Sequence, residues 1–580
     1  MQDQTPMILP PAGSRPLAEY ETAFARREDP FLVHYTLGEG GIGKWAWTRG
    51  QFRDLAVGAA AALARLGAVR GSRVLHLFAA NSPRDLAFRL AAVLAGTVPV
   101  TVNWQADDLE RIAYKARVAE ARIVVHEGQE PERLAALSSL LPDAAFLDAA
   151  DFGHEDGAPV TAGPSWEDER IIIFTSGTTG LPKGVRLSHR SYLTNRLTFE
   201  AYFGLDAEDP LDLLLVNPLH HANSSAMSDW GLRRPGAVIH LVERYGTAFW
   251  RILTKAAEGR RGRLVTALVA RHIDFLEDMD REGTLPVEKD RLEMALRNTE
   301  ILIGSAPVGP TTVRRILHWC GRPPRVRFGS TETCLQVAAI PGTLAPEAVV
   351  NAFERGWKHE HRGERAEGYY IGRDHSPFTE MDVVRAVDPD REGYLVPCAA
   401  GEPGYLVTRG GNLMSGYVGD EGATRDVFRE GWYTGLRDIG FRLEGSDGGR
   451  DLYWMARDSA LLIRGGANYA YDQVAAELSA VLTDRFGLTA DSFRLAVVGL
   501  RLQSEHEDSC CVTIELKPEA EGRRDELARS FREVAKKAVS KGSRPDFVRF
   551  APIPLNFKGA ILVPELKKAF ADAWKAGEVA

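Results

Sequence analysis

The sequence predicts an α/β protein with a large N-terminal domain of helix-flanked β-sheets. A small β-barrel-like subdomain and a smaller α+β C-terminal domain follow it. Three observations carry this. Apolar runs of strand length alternate with helical periods from Gln51 to Phe174; from about Gly393 the pattern turns to short strands and glycine-rich turns; and beyond Arg457 strands mix with amphipathic helices.

The elements follow in order. Phe31–Trp47, FLVHYTLGEGGIGKWAW, reads as a hairpin, two β-rich runs around a glycine cluster. Gly38–Gly43 matches GxGxxG, but aromatic strand residues follow where a dinucleotide site needs a helix, so the hairpin is preferred. Gln51–Gly67 has helical spacing, Arg73–Ala79 reads as a strand, Asn81–Gly96 as a helix, and VPVTVN as the next strand. Ile123–Val125 and Ile171–Phe174 continue the alternation and imply a parallel sheet. Val349–His375 is dense in charge and reads as a solvated surface insertion, its histidines without metal-like spacing. GYLVP and YLVTRG are short strands, and Asp472–Leu482 and Arg523–Val539 are helices. The boundary is placed at Ala456–Ser459, giving an N-terminal domain over 1–456, a hinge at 457–459 and a C-terminal domain over 460–580. No repeat of 20–50 residues is visible.

Composition narrows the function classes. The 580 residues carry 71 basic and 79 acidic side chains, a formal charge of −8, with no long basic run, which argues against nucleic acid as the main partner. The longest apolar stretch, Leu86–Val102, is interrupted by Arg89, so no membrane span is expected, and the first residues lack the form of a secretory signal. Five cysteines with no CxxC pattern suggest reduced thiols in a cytoplasmic protein, without a disulfide framework or a zinc site.

Phe174–Val185, FTSGTTGLPKGV, carries the chemistry. After the apolar strand IIIF, ten residues hold four hydroxyls, three glycines and a lysine. Glycines let backbone N–H groups close around an anion, hydroxyls add donors and the lysine adds charge. Pro182 stands where a Walker A loop has glycine, so this is a phosphate-gripping loop of another kind.

That string resembles the signature of the adenylate-forming superfamily, which holds acyl-CoA ligases, peptide-synthetase adenylation domains and firefly luciferase. Further motifs follow in the family's order over nearly the whole chain: LHLFAANSPRDLAFRLAAVLAGTVPVTVN (75–103), NPLHH (217–221), GSAP (304–307), RFGSTE (327–332), GEPGYLVTRGGNLMSGY (401–417) and RGGANYAY (464–471). The resemblance implies roles. Thr175, Ser176, Gly177, Thr178, Thr179, Gly180 and Lys183 would embrace the phosphates of ATP. Phe328 would stack on adenine, Thr331 contact the α-phosphate and Glu332 hold Mg²⁺. Asp438 would take the ribose hydroxyls and Arg457 precede the hinge, although GWYTGLRDIG has one residue more than the family pattern. His220, His221, Asn223, Gly304, Ser305 and Gly329 would line the acyl pocket. Gly465 and Gly466 would flank the CoA tunnel, and Ser459 would be the hinge of a mobile C-terminal domain.

One departure matters most. Where the family has a C-terminal catalytic lysine that bridges the substrate carboxylate and the α-phosphate, this chain reads PLNFKGA (554–560) and places Ala560. Losing one preorganised cation costs adenylation roughly 10²–10³ in rate, whereas thiol attack on an acyl-adenylate does not need it. Three readings stay open: an enzyme that only converts acyl-AMP and CoA to acyl-CoA, with a separate ligase supplying the adenylate; a complete ligase rescued by Lys558 or Lys567; or an engineered Lys→Ala trap. Lys558 would be displaced by about 6–7 Å along an extended chain. The first reading is preferred. It also resembles secondary-metabolite ligases of antibiotic biosynthesis, which would imply a bulky terpenoid acid. Rivals are a non-catalytic protein that binds nucleotide or acyl-adenylate, and a carrier-loading enzyme.

Overall fold

The computed structural model describes residues 10, 13–38, 41–152, 163–175, 182–305, 307–361, 364–365, 368–457, 461–464, 467–505, 507–555, 561 and 563–579. Its large part is α/β, two sheets with helices packed between them. In the seven-stranded sheet, Val98–Thr101, Arg73–Phe78, Ile123–Glu127 and Ala145–Asp148 run parallel with Glu169–Thr175. Lys183–Ser188 then pairs antiparallel with Glu169–Thr175, Thr175 opposite Lys183, so the phosphate-loop motif is the connection of a hairpin. Gly416–Tyr417 adds the last strand, Tyr417 opposite Val185.

The fifteen-stranded sheet opens on the hairpin Pro30–Gly38 and Gly41–Thr48. Parallel strands follow in the order Ala237–Val242, Leu211–Leu215, Arg263–Leu268, Thr299–Ile303 and Arg325–Phe328. Beyond Ala338–Ala339 the sheet turns antiparallel through Tyr369–Asp374, Arg450–Arg457, Asp438–Glu444 and Gly404–Gly410, the short-strand subdomain.

Local chemistry sets the helix starts. Thr48 and Gln51 form a reciprocal capping box before Arg49–Arg65, and Ser82 caps Pro83–Ala95, which ends on a left-handed Gly96. These helices, with His189–Phe203 and Ala222–Arg233, bury Phe52, Leu86, Phe199, Met227 and Trp230 between Val74 and Val125 of one sheet and Leu213, Ile239 and Leu302 of the other. A separate core, Leu462 through Phe570, lies between helices Tyr471–Phe486, Arg524–Ala538 and Val563–Lys575 and the sheet Phe493–Leu500, Ser509–Leu516 and Phe547–Phe550.

Two expectations need correction. Val349–His375 is not a solvated insertion: Pro346–Trp357 is a helix whose Val349, Ala352, Phe353 and Gly356 are buried, and Tyr369–Asp374 is an interior strand with Tyr370 fully buried. Its charges crowd the outer face, while apolar residues at i, i+3, i+4 and i+7 turn inward. A side chain at Gly356 would meet the Gly368 carbonyl at 2.4 Å, so helix and strand touch backbone to backbone. GYLVP is not a strand either; Leu395 takes φ +50° and only isolated bridges, Ala386 to Tyr394 and Val384 to Pro397, tie it to the sheet.

The five cysteines are buried and unbridged. No described helix is long and apolar enough to cross a membrane.

Candidate active site

The motifs that are far apart in sequence meet at the C-terminal ends of parallel strands, where open α/β sheets place their ligands. NPLHH follows Leu211–Leu215, Gly304 and Ser305 follow Thr299–Ile303, and Gly329 to Glu332 follow Arg325–Phe328. Ser305 adopts φ +68° as the chain leaves its strand. At Gly329 a Cβ would stand 2.1 Å from the Leu335 carbonyl oxygen, so the turn closes on itself only with glycine there.

Glu332 is held by the distant GGNLMSGY segment. Met414 N–H donates to the Glu332 carbonyl at 2.7 Å, and the Tyr417 hydroxyl donates to Glu332 Oε1 at 3.2 Å. Buried Asn412 donates to the carbonyls of Thr333 at 2.7 Å and Gln336 at 3.2 Å. These contacts hold a strained turn in which Cys334 and Leu335 take φ +47° and +90°. Thr331 accepts Cys334 N–H through its carbonyl, and half-buried Phe328 packs against the apolar cluster that holds Tyr192 and Tyr417. Lys183 Nζ lies 5.0 Å over the Tyr417 ring, so the lysine ending the phosphate-loop hairpin and the Glu332 carboxylate approach the same tyrosine. Asn412→Ala would leave two buried carbonyls unpaired. It is expected to cost about 1–3 kcal/mol of stability and to weaken nucleotide binding, read by thermal melting and titration with AMP. Unchanged affinity in a stable variant would show that Asn412 does not hold this turn.

Asp438 begins its strand buried, with Trp454 Nε1 donating to Oδ1 at 2.8 Å and the backbone of Arg457 opposite. The extra residue of GWYTGLRDIG is absorbed as a kink. Arg437 takes φ +52° and turns outward to Asp388 at 2.7 Å, which leaves Asp438 facing in. Fully buried Tyr433 feels both carboxylates: burial, then the charges of Glu332, Tyr417 and Asp438, push its phenol far above the ordinary value. Sequence reasoning passed over Tyr433 and Asn412; the polar asparagine inside an otherwise apolar strand–turn motif was the available signal for the second.

The NPLHH loop hangs on a buried polar network. Asn81 donates to the carbonyls of Val216, Asn217 and Val242 and accepts Leu219 N–H at 2.8 Å. Arg89 bonds Ser225 Oγ at 3.0 Å and the Leu219 carbonyl at 3.0 Å, and is paired with Asp85, which also bonds His76 at 2.8 Å. His221 is the N-cap of Ala222–Arg233, and its ring lies 4.3 Å from that of His220. Burial, with the Lys115 cation nearby, pushes His221 down to about 4, so it is neutral at neutral pH; burial and His221 hold His220 well below its ordinary value. Neither ring nitrogen of His220, nor Asn223 Oδ1, has a hydrogen-bond partner among the described residues. Lys115 forms a buried pair with Asp107 at 2.5 Å and sits 5.5 Å over Phe174.

Ser176, Gly177, Thr178, Thr179, Gly180, Ser459, Gly465, Gly466 and Ala560 lie outside the described residues, as does Lys558. Lys567 is within them, its Nζ 5.7 Å over the Tyr471 ring and its charge near Asp508 in the C-terminal core.

Comparisons with known proteins agree in direction. The profile of the family described as AMP-binding enzyme matches residues 21–418. The 2-succinylbenzoate–CoA ligase of Bacillus licheniformis is 26% identical over 407 residues, 68% of this chain and 70% of that protein. A feruloyl-CoA synthase of an Amycolatopsis species is 27% identical over 411 residues, 70% of this chain and 73% of that protein. Among solved structures, a double mutant of o-succinylbenzoate CoA synthetase from Bacillus subtilis, bound with its product analogue, is similar in fold. Its TM-score is 0.71 at 19% identity, over 95% of this chain and 98% of that one.

Proposed function

This chain belongs to the AMP-binding enzyme family, adenylate-forming enzymes, and on that premise we propose that it forms acyl-CoA from an acyl-adenylate and CoA, releasing AMP. The thiol sulfur of CoA bonds the acyl carbon, the bond from that carbon to the phosphate oxygen breaks, and the thiol proton leaves to solvent. In this reading Thr175, Lys183, Phe328, Thr331 and Asp438 hold the adenylate, Asp438 through its ribose. Glu332, which accepts the Tyr417 hydroxyl on one oxygen, would hold a Mg²⁺ ion; one carboxylate plus phosphate oxygens is a donor set magnesium accepts, and the ion would offset phosphate charge. Neutral His221 faces the acyl group without adding a second cation to Lys115. The segment 457–459 is assigned as the hinge, with 1–456 and 460–580 as the domains it joins.

The single observation that carries the division of labour is Ala560, a methyl group where adenylation needs an ammonium. The placement of Lys567 over Tyr471, within the core of its own domain, supports it. A separate ligase then supplies the adenylate, and a bulky terpenoid acid remains the proposed acyl source. The similarity to named CoA ligases favours CoA as acceptor.

The test is thioester formation from synthetic acyl-AMP and CoA, beside free acid, ATP, Mg²⁺ and CoA. Product from the adenylate alone is expected. Equal product from both mixtures would identify a complete ligase, and none from either a binding protein.

A further inference from the structure

Beside the glycine wall assigned to the acyl pocket lies a buried guanidinium without a partner among the described residues. Arg327 is 5% exposed, yet none of its hydrogen-bonding groups meets a partner among the described residues, and Nη1 is wholly buried. Among the described residues no carboxylate acts on its charge, and Tyr202 is the one titratable group that does. Burial pushes the group down to about 9, still cationic at neutral pH.

Register places this side chain. Val326 lies beside Ile303 and Arg325 beside Leu302, so strand alternation sets Arg327 on the face of Leu302 and Gly304. Leu302 of that face belongs to the core that also holds Met227 and Trp230 of the helix beginning after His221, while Ile303 and Val326 pack into a different core. Gly304 touches Arg327 directly: a Cβ there would stand 3.3 Å from Arg327 Cγ and 3.4 Å from Nε. Arg327 is therefore next to the residue beneath adenine, Phe328, and against the glycine wall of the acyl site. Asn223 Oδ1, on that helix, and both His220 nitrogens, one residue before its cap, are likewise buried and unpaired among the described residues.

An unpaired buried cation is costly in the empty protein and strongly favours a complex that brings it an acceptor. We propose that Arg327 is a specificity-determining residue that binds a second oxygen acceptor of the acyl group, a carbonyl or a carboxylate remote from the reacting carboxyl. This deepens, and rests on, the acyl-adenylate reading of the site. The acid would then be an oxo- or carboxy-substituted one, and a plain hydrocarbon acid would be rejected because it leaves the guanidinium unmet.

Binding of non-reacting acyl sulfamoyl-adenosines tests this without CoA. The chains run over about six to ten carbons, a span set by arginine's reach across a pocket of ordinary depth, and end in a methyl, a ketone or a carboxylate. At one length the ketone or the carboxylate is expected to bind at least about 10²-fold more tightly than the methyl. Which of the two does so identifies the acceptor. Arg327→Met should bring that ratio to within a few-fold, Arg327→Lys should keep part of it, and Arg327→Met should melt higher than the parent when free. Binding by all chains without discrimination, or discrimination that survives Arg327→Met, overturns the inference alone. A lower melt for Arg327→Met with discrimination intact marks Arg327 as structural and also overturns it. No binding by any analogue overturns the acyl-adenylate reading and the inference with it.

Discussion

Ala560→Lys is expected to raise ATP-dependent adenylate formation by roughly 10²–10³, about 3–4 kcal/mol of transition-state stabilisation. The reason is local electrostatics. As the carboxylate attacks the α-phosphorus, negative charge accumulates on the phosphoryl oxygens, and a preorganised ammonium offsets it without reorganising solvent. Lys183 lies over the Tyr417 ring. Lys567 lies over Tyr471. Thioester formation from preformed acyl-AMP should change little, because attack there is at the acyl carbon and no pentavalent phosphorus forms; charge builds first on the acyl oxygen and then leaves with AMP. Acid-dependent ATP–pyrophosphate exchange reads the first effect, and CoA consumption with acyl-AMP the second. No gain in exchange would mean that another residue also blocks adenylation, and an equal gain in both steps would contradict the division.

Acidification should unfold the protein before its carboxylates protonate. His221 and His375 are pushed by burial to about 4 and His272 to about 3, while His189 and His220 are held well below their ordinary value. The surroundings compensate little: His272 stacks on Tyr245 at 4.1 Å, His375 bonds the Gln336 amide at 2.7 Å, and at His221 burial and the Lys115 charge outweigh the opposing Asp107. The sign follows from proton binding. With folded values below the unfolded one near 6.5, the unfolded chain holds more protons between pH 6.5 and 4, so stability present at pH 7 is lost as pH falls through that window. Each such histidine contributes a slope of about 1.4 kcal/mol per pH unit. Three give about 4 kcal/mol per unit against a typical total of about 5–15 kcal/mol, which puts the transition near pH 5. Asp85 acts later: its value, lowered to about 2 by Arg89 and His76, holds stability that is lost only below about pH 4. Tryptophan fluorescence and circular dichroism against pH read the transition, and His272→Gln should move it to lower pH. Flat signals from pH 6.5 to 4.5 would refute the assignment of these histidines as buried and neutral.

Much of the architecture was legible because its signals are local. The hairpin at Pro30–Thr48, the helices capped by Thr48 and Ser82, and the strand before the phosphate loop each follow from periodicity and end residues within a few positions. Val349–His375 was misread because charge density averages over faces: the inward stripe of Val349, Ala352, Phe353 and Gly356 is outnumbered by the charges between its members. GYLVP has strand composition, but the left-handed Leu395 breaks its ladder, which no composition reveals.

The sequence by itself determined the family, through motifs whose residue types are fixed by chemistry: glycines and hydroxyls around an anion, a carboxylate for a metal, and the missing ammonium at Ala560. It also determined the order of elements. Only the tertiary structure decided which motif supports which. Asn412 and Tyr417 hold the Glu332 turn from about 80 residues away, Tyr433 feels the charge of both Glu332 and Asp438, and Arg327 lies on the sheet face of Leu302 and Gly304 by strand register. Burial and pairing are properties of contacts between distant segments, so a side chain's partner, or the lack of one, exists only once the chain has folded.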